Sequence, residues 1–148
     1  MNDATLDAMI TKVRMNSKFF DGAHVARDPP MSNERIAQFE ASCKIRLHPQ
    51  YRRFLLTYGA GHFLYSHVYS VDPGSEWSLW RQSEGLPGVG KSLLPFSDNG
   101  CGDYLVFKVV DGNCLECPHW ADHELGFTLA KSEYPDFNTF IAEAALMA

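Results

Sequence analysis

The chain has no uninterrupted apolar run approaching the about 20 residues that a membrane-spanning helix needs. Its opening, MNDATLDAMITKVRMN, is equally unlike a secretory leader, because Asp3 and Asp7 stand where a leader carries positive charge. Both absences make a cytoplasmic protein the expectation. Basic residues are scarce towards the C-terminus: residues 98–148 hold 2 Lys/Arg against 9 Asp/Glu, whereas residues 1–97 hold 11 against 9. An acidic half repels phosphate backbones, and no Lys/Arg cluster elsewhere drives binding by counterion release. Nucleic acid is therefore excluded as the expected partner and a basic protein is favoured. Cysteines number only four (Cys43, Cys101, Cys114, Cys117), and a reducing compartment leaves them as thiols or metal ligands. What the chain does have is 45% hydrophobic residues and ten phenylalanines in 148 residues, enough to bury the core of a single domain.

Leu6, Met9, Ile10 and Val13 recur at helical spacing, which predicts a helix over residues 4–16, followed by a link at residues 21–31, DGAHVARDPPM. Ser32 is placed to cap a second helix with Ile36, Phe39 and Cys43 inward, ending near Lys44. Pro49 suits the first turn of a third, whose stripe is Tyr51, Phe54, Leu55 and Tyr58 and whose end falls at Gly59. HFLYSHVYSVD lacks helical period and reads as one bent strand or a short hairpin; a short helix capped by Ser75 follows. LLPF, YLVFKVV, NCLEC and GFTLA are strand-like runs, with a hairpin turn at Asp111-Gly112. Phe137, Phe140, Ile141, Ala144 and Ala145 then form the stripe of a C-terminal helix that covers the sheet. The sum is an α+β domain, mainly antiparallel sheet flanked by helices.

Three motifs invite chemistry. GLPGVGKS, Gly85–Ser92, matches the phosphate-loop pattern letter for letter, yet a polar SLWRQSE precedes it where a strand is needed, and Pro95 follows too soon for a helix. Cys114, Cys117, His119 and His123 are zinc-type ligands, but all lie within ten residues, too crowded for the usual two separated pairs. DNGCGD fails as a calcium loop because the third position is Gly100 and the twelfth is Val109, and fails as a dinucleotide fingerprint because Leu105 stands at the third glycine position. It reads as a glycine turn that opens a strand. No catalytic, cofactor-binding or metal residue is assigned. Candidate partner contacts are the acidic residues Asp98, Asp103, Asp111, Glu116, Asp122 and Glu124, with Trp77, Trp80 and Trp120 as aromatic anchors.

The segment RIAQFEASCKIRLHPQYRRFLLTYGAGHF resembles the signature of the SUKH superfamily: an I-x-x-F-E helix (Ile36, Phe39, Glu40), an L-P-x-x-Y-x-x-F-L run (Leu47, Pro49, Tyr51, Phe54, Leu55) and a glycine turn (Gly59, Gly61). The strand and turn over Leu94 to Phe107 and the helix Phe137 to Ile141 occupy the family's later places, so the resemblance covers residues 33–148. His48 intervenes between Leu47 and Pro49, and GAG replaces Asn-Gly-Gly. Members include fungal cell-wall assembly regulators and bacterial immunity proteins that neutralise polymorphic toxins. The resemblance therefore implies a non-enzymatic immunity protein that occludes the active site of a cognate toxin domain, and the charge implies that the toxin is basic, as a nuclease is. A regulatory scaffold of the same fold is the alternative, and a nucleotide binder using Lys91 and Ser92 is the third.

Overall fold

A computed structural model describes residues 1–16 and 27–147. Of the link expected at residues 21–31, the part before Arg27 lies outside the described residues. Helix α1 (Asp3–Asn16) buries Leu6 and Ile10, with Met9 and Val13 packed beside them, as the spacing predicts. It is fastened to the next helical layer through Asp7, whose carboxylate accepts hydrogen bonds from the Tyr58 hydroxyl at 2.6 Å and from the Arg53 guanidinium.

Helix α2 (Asn33–Cys43) begins where Ser32 Oγ accepts from the Arg35 amide at 3.2 Å and stops where Lys44 turns left-handed. A side-chain oxygen at that point satisfies an amide that has no partner inside the helix, which is why serine marks the start. Helix α3 (Pro49–Thr57) buries Tyr51, Phe54 and Leu55, and Tyr58 is buried just past its end. Its N-cap is His48, the residue by which the sequence departs from the Leu-Pro pattern. His48 Nδ1 accepts from the Gln50 amide at 3.2 Å, and the ring stacks on Phe107 at 4.9 Å and 1°.

HFLYSHVYSVD resolves as a hairpin of β1 (Gly61–Phe63) and β2 (Ser66–Val68) turning at Leu64-Tyr65; the Tyr69 amide then donates to Phe96 O at 2.9 Å, laying the chain beside the main sheet. Helix α4 (Leu79–Gln82) corrects the expected cap. Ser78, not Ser75, accepts from the Arg81 amide. Ser75 Oγ is committed to a tight turn, accepting from the Trp77 amide while donating to Asp28, so the helix starts later.

The main sheet contains β3 (Leu93–Asp98), β4 (Tyr104–Val110), β5 (Asn113–Cys114), β6 (His119–Asp122) and β7 (Thr128–Lys131), all antiparallel, in the order β3-β4-β6-β7 with β5 on β4. NCLEC was expected to be strand throughout, but only its first two residues pair. Asp111 and Gly112 both have positive φ, the geometry that matches the natural strand twist in a two-residue hairpin. Between Pro95 and Ser97 the β3–β4 register shifts by one residue. Proline supplies no amide to the ladder. Leu94 and Phe96, two residues apart on one face, both enter the main core, and the bulge brings the buried Ser97 opposite Leu105.

Tyr51 and Phe54 of α3 meet Phe96 and Phe107 of the sheet and Phe137 and Phe140 of helix α5 (Phe137–Phe140) in one aromatic core. The opposite sheet face is a smaller cluster of Leu86, Leu93, Val106 and Ala121. Asp136 caps α5 by accepting from the Thr139 amide at 2.7 Å. The helix then widens into a π turn at Ile141–Ala145, which explains why Ala142 is buried and Ala144 only half buried, against the regular stripe.

Candidate functional site

The strand directions sort the nine candidate residues into separate places. Asp98 ends β3, Asp103 precedes β4, and Asp122 and Glu124 follow at the close of β6, so four carboxylates share one end of the sheet. Asp111 and Glu116 lie beyond the other end of β4. There Asp111 borders a hollow with Lys44 and Arg46, and Glu116 stands 3.1 Å from His48 Nε2. Trp77 packs on His67 at 5.1 Å; Trp80 packs on Phe39 at 5.8 Å and lines a separate hollow with Arg35 and Asp72. Of the three tryptophans only Trp120 borders the same cleft as Asp98, while Trp77 stands behind His67.

Asp98 and Trp120 share a cleft of about 280 Å³. One wall is the β1–β2 turn, with Tyr65, Ser66 and His67; the floor is Asp98-Asn99-Gly100; Trp120, Tyr134 and Phe140 close the rest. Its parts are held by named bonds. The Tyr65 amide donates to Ala145 O at 3.3 Å, Ser97 Oγ donates to His67 O at 2.6 Å, and Trp120 Nε1 donates to Glu133 at 2.8 Å. Asp98 Oδ1 accepts from the Gly100 amide at 2.8 Å; Oδ2 accepts from the Tyr69 hydroxyl and faces His67 Nδ1 at 3.5 Å. Burial alone would raise the Asp98 carboxyl, but these donors outweigh it and hold the group below its ordinary range. The cleft thus carries a fixed negative charge at neutral pH.

DNGCGD is built as the turn the sequence suggests. Asn99 Oδ1 accepts from the Cys101 and Asp103 amides, so its side chain organises the loop's own backbone. Among the described residues, ligand-type atoms gather within 4.8 Å of one another at Asp103, Asp122 and His123. There Asp103 Oδ1 accepts from both the amide and Nδ1 of His123, and Asp122 accepts from the Glu124 amide, which ties the two loops together. Cys114, Cys117, His119 and His123 do not converge. His119 and His123 flank opposite ends of β6, about 13 Å apart along an extended strand. The Cys117 thiol points to backbone carbonyls, and burial pushes the Cys114 thiol up to about 11. In Gly85–Ser92 the amides of Lys91, Ser92 and Leu93 all turn on Gly88 O, and the chain leaves into β3 instead of a helix, so no phosphate cradle is formed.

These contacts predict a titration order. The Asp103 hydrogen bond raises His123 above the ordinary 6.5, whereas burial, with the charge of His67 behind it, lowers His62, and burial, with Lys108 and Lys131 behind it, lowers His119. As pH rises in an NMR titration, His62 and His119 deprotonate before His123. His123 favours the folded chain below about 6.5 and loses that contribution as pH climbs through its folded value. His119 titrating after His123 would mean that the Asp103 contact is not formed in solution.

Helices wrapped on an antiparallel sheet, with a glycine turn between its first two strands, define an α+β domain of the SUKH type. The chain belongs to the SUKH_6 family, described as SMI1-KNR4 cell-wall, whose sequence model matches residues 33–141. No curated protein and no solved structure matches the chain significantly. SUKH proteins are in general non-enzymatic immunity or regulatory proteins. Among the described residues no helix is long and apolar enough to cross a membrane.

Tyr65, His67 and Tyr134 escape a reading of the sequence for charge, and Glu133 is counted in the acidic half without being singled out. The available signal was the aromatic density of HFLYSHVYSVD, and Tyr65, at the hairpin tip, remains 69% exposed.

Proposed function

We propose that the protein is an immunity protein that binds a cognate bacterial toxin domain and neutralises it by occluding the toxin's active site. The observation that carries this reading is membership of the SUKH family over residues 33–141. The charge supports a basic toxin domain, such as a nuclease: residues 98–148 hold 9 acidic against 2 basic side chains, and four of the acidic ones stand at one sheet end beside an aromatic cleft. Such an end attracts a basic surface at long range, and Trp120 and Tyr65 then supply the anchoring contact. We place the toxin contact at that end, in Asp98, Asp103, Asp122, Glu124 and Trp120.

Co-expression with the toxin domain encoded beside this gene tests the reading. Growth is restored and the two proteins purify together. Asp103→Asn combined with Glu124→Gln slows association severalfold at low salt and less at high salt, and Trp120→Ala weakens the complex about tenfold or more. No rescue by the folded wild-type protein overturns the proposal. Stable partners without rescue favour the regulatory scaffold that the family's cell-wall description suggests.

A further inference from the structure

We infer that the cleft between the β1–β2 turn, the β3–β4 loop and Trp120 is a socket for one arginine side chain of the partner protein. The inference deepens the immunity reading and rests on it for which protein supplies the arginine, while the chemistry of the socket stands on the cleft itself.

At about 280 Å³ the cleft lies at the small end of ordinary small-molecule sites, about 300–1,000 Å³, and has room for one long side chain. The walls are aromatic. Tyr65, Trp120 and Tyr134 border the space, and the Trp120 indole is fixed in orientation by its bond to Glu133. A flat, weakly hydrated guanidinium stacks on such faces better than an ammonium does.

The floor is a carboxylate with capacity to spare. Two oxygens offer about four acceptor positions. Asp98 fills one with the Gly100 amide and one with the Tyr69 hydroxyl, and its third neighbour, His67, is at the outer limit of hydrogen bonding at 3.5 Å. A guanidinium fork therefore finds an open edge without breaking the bonds that hold the carboxylate in place. Glu133 adds a second acidic group beside Trp120, and Glu143 acts on Tyr134 electrostatically from the C-terminal helix. Among the described residues that line the cleft there is no Lys or Arg, and His67 is the one base.

The test needs no toxin. The indole N–H signals of Trp77, Trp80 and Trp120, and the Gly100 amide signal, are followed by NMR during titration with N-acetylarginine methylamide. The Trp120 and Gly100 signals move together and saturate in the millimolar range, added salt weakens the response, and the uncharged citrulline analogue moves neither. Asp98→Asn weakens binding about tenfold. Tyr65→Ala, an exposed position whose loss spares the core, weakens it severalfold. Equal shifts with citrulline, no shift at Gly100, or unchanged affinity in both variants overturns the socket. Toxin rescue without any arginine titration removes the socket and leaves immunity standing. Titration without rescue supports the socket and defeats the immunity reading.

Discussion

Phe96→Ala lowers the stability of the folded chain by about 3–5 kcal/mol, the usual cost of truncating a fully buried phenylalanine. Phe96 is 0% exposed, and its ring meets Phe107 at 4.5 Å, Phe137 at 5.4 Å, Phe140 at 5.5 Å and Tyr51 at 6.0 Å. Those neighbours belong to α3, β4 and α5, so the cavity opens where three elements meet and no single one can move in to fill it. Urea unfolding reads the loss as a lower midpoint at unchanged slope, with a melting temperature lower by about 6–20 °C. Phe127→Ala serves as the comparison. Phe127 is half buried against the smaller cluster, so its loss is expected to cost about 1 kcal/mol. Equal losses at the two positions would mean that the aromatic core does not centre on the β3 bulge.

Gly59→Ala destabilises by about 2–5 kcal/mol, from the left-handed conformation and the displacement of backbone together. Gly59 has φ +77, and a Cβ there would stand 2.5 Å from Asp28 O and 2.7 Å from Pro29 O. Backbone cannot rotate away as a side chain does. Gly100 supplies the control, because its φ is +73 but no heavy atom lies within 4 Å of a Cβ built there. Gly100→Ala is therefore expected to carry the dihedral cost alone, about 1–2 kcal/mol. Parallel urea curves separate the two contributions, and a Gly59 variant no worse than the Gly100 variant would refute the close approach of residues 28 and 29. The same contact shows why the third helix ends in glycine: the chain leading to α2 crosses directly over its last turn, where the Asp28 amide also donates to Ala60 O at 2.9 Å.

The candidate site was legible in part. Asp98 and Trp120 stand together in the cleft, and counting ligand positions correctly turned DNGCGD into a loop whose side chains bind its own backbone. Grouping Asp111 and Glu116 with Asp98 treated nearness in sequence as nearness in space. Strand β4 carries the chain seven residues away from the Asp103 loop, about 20 Å along an extended strand, before Asp111 is reached. Two of the three tryptophans were likewise indistinguishable from Trp120 in the sequence. Whether an indole packs on Phe39, on His67 or at the mouth of a cleft depends on strand neighbours that composition does not encode.

Local chemistry by itself determined the first three helices, the Ser32 cap of α2 and the Asp111-Gly112 hairpin, because a capping oxygen, a proline in the first turn and a left-handed glycine act within a few residues. The order of these elements, with the apolar stripes they carry, was likewise enough for the α+β class and for the SUKH family. Tertiary structure alone decided the rest: that His48 caps α3 while stacking on Phe107, that Ser78 rather than Ser75 starts α4, and that residues 65, 98, 120 and 134 frame one cleft. These depend on sheet register and on the crossing of distant segments, whose energies arise only when the chain closes on itself. Charge is readable residue by residue, but a charged site is a geometry, and geometry between distant residues belongs to the fold.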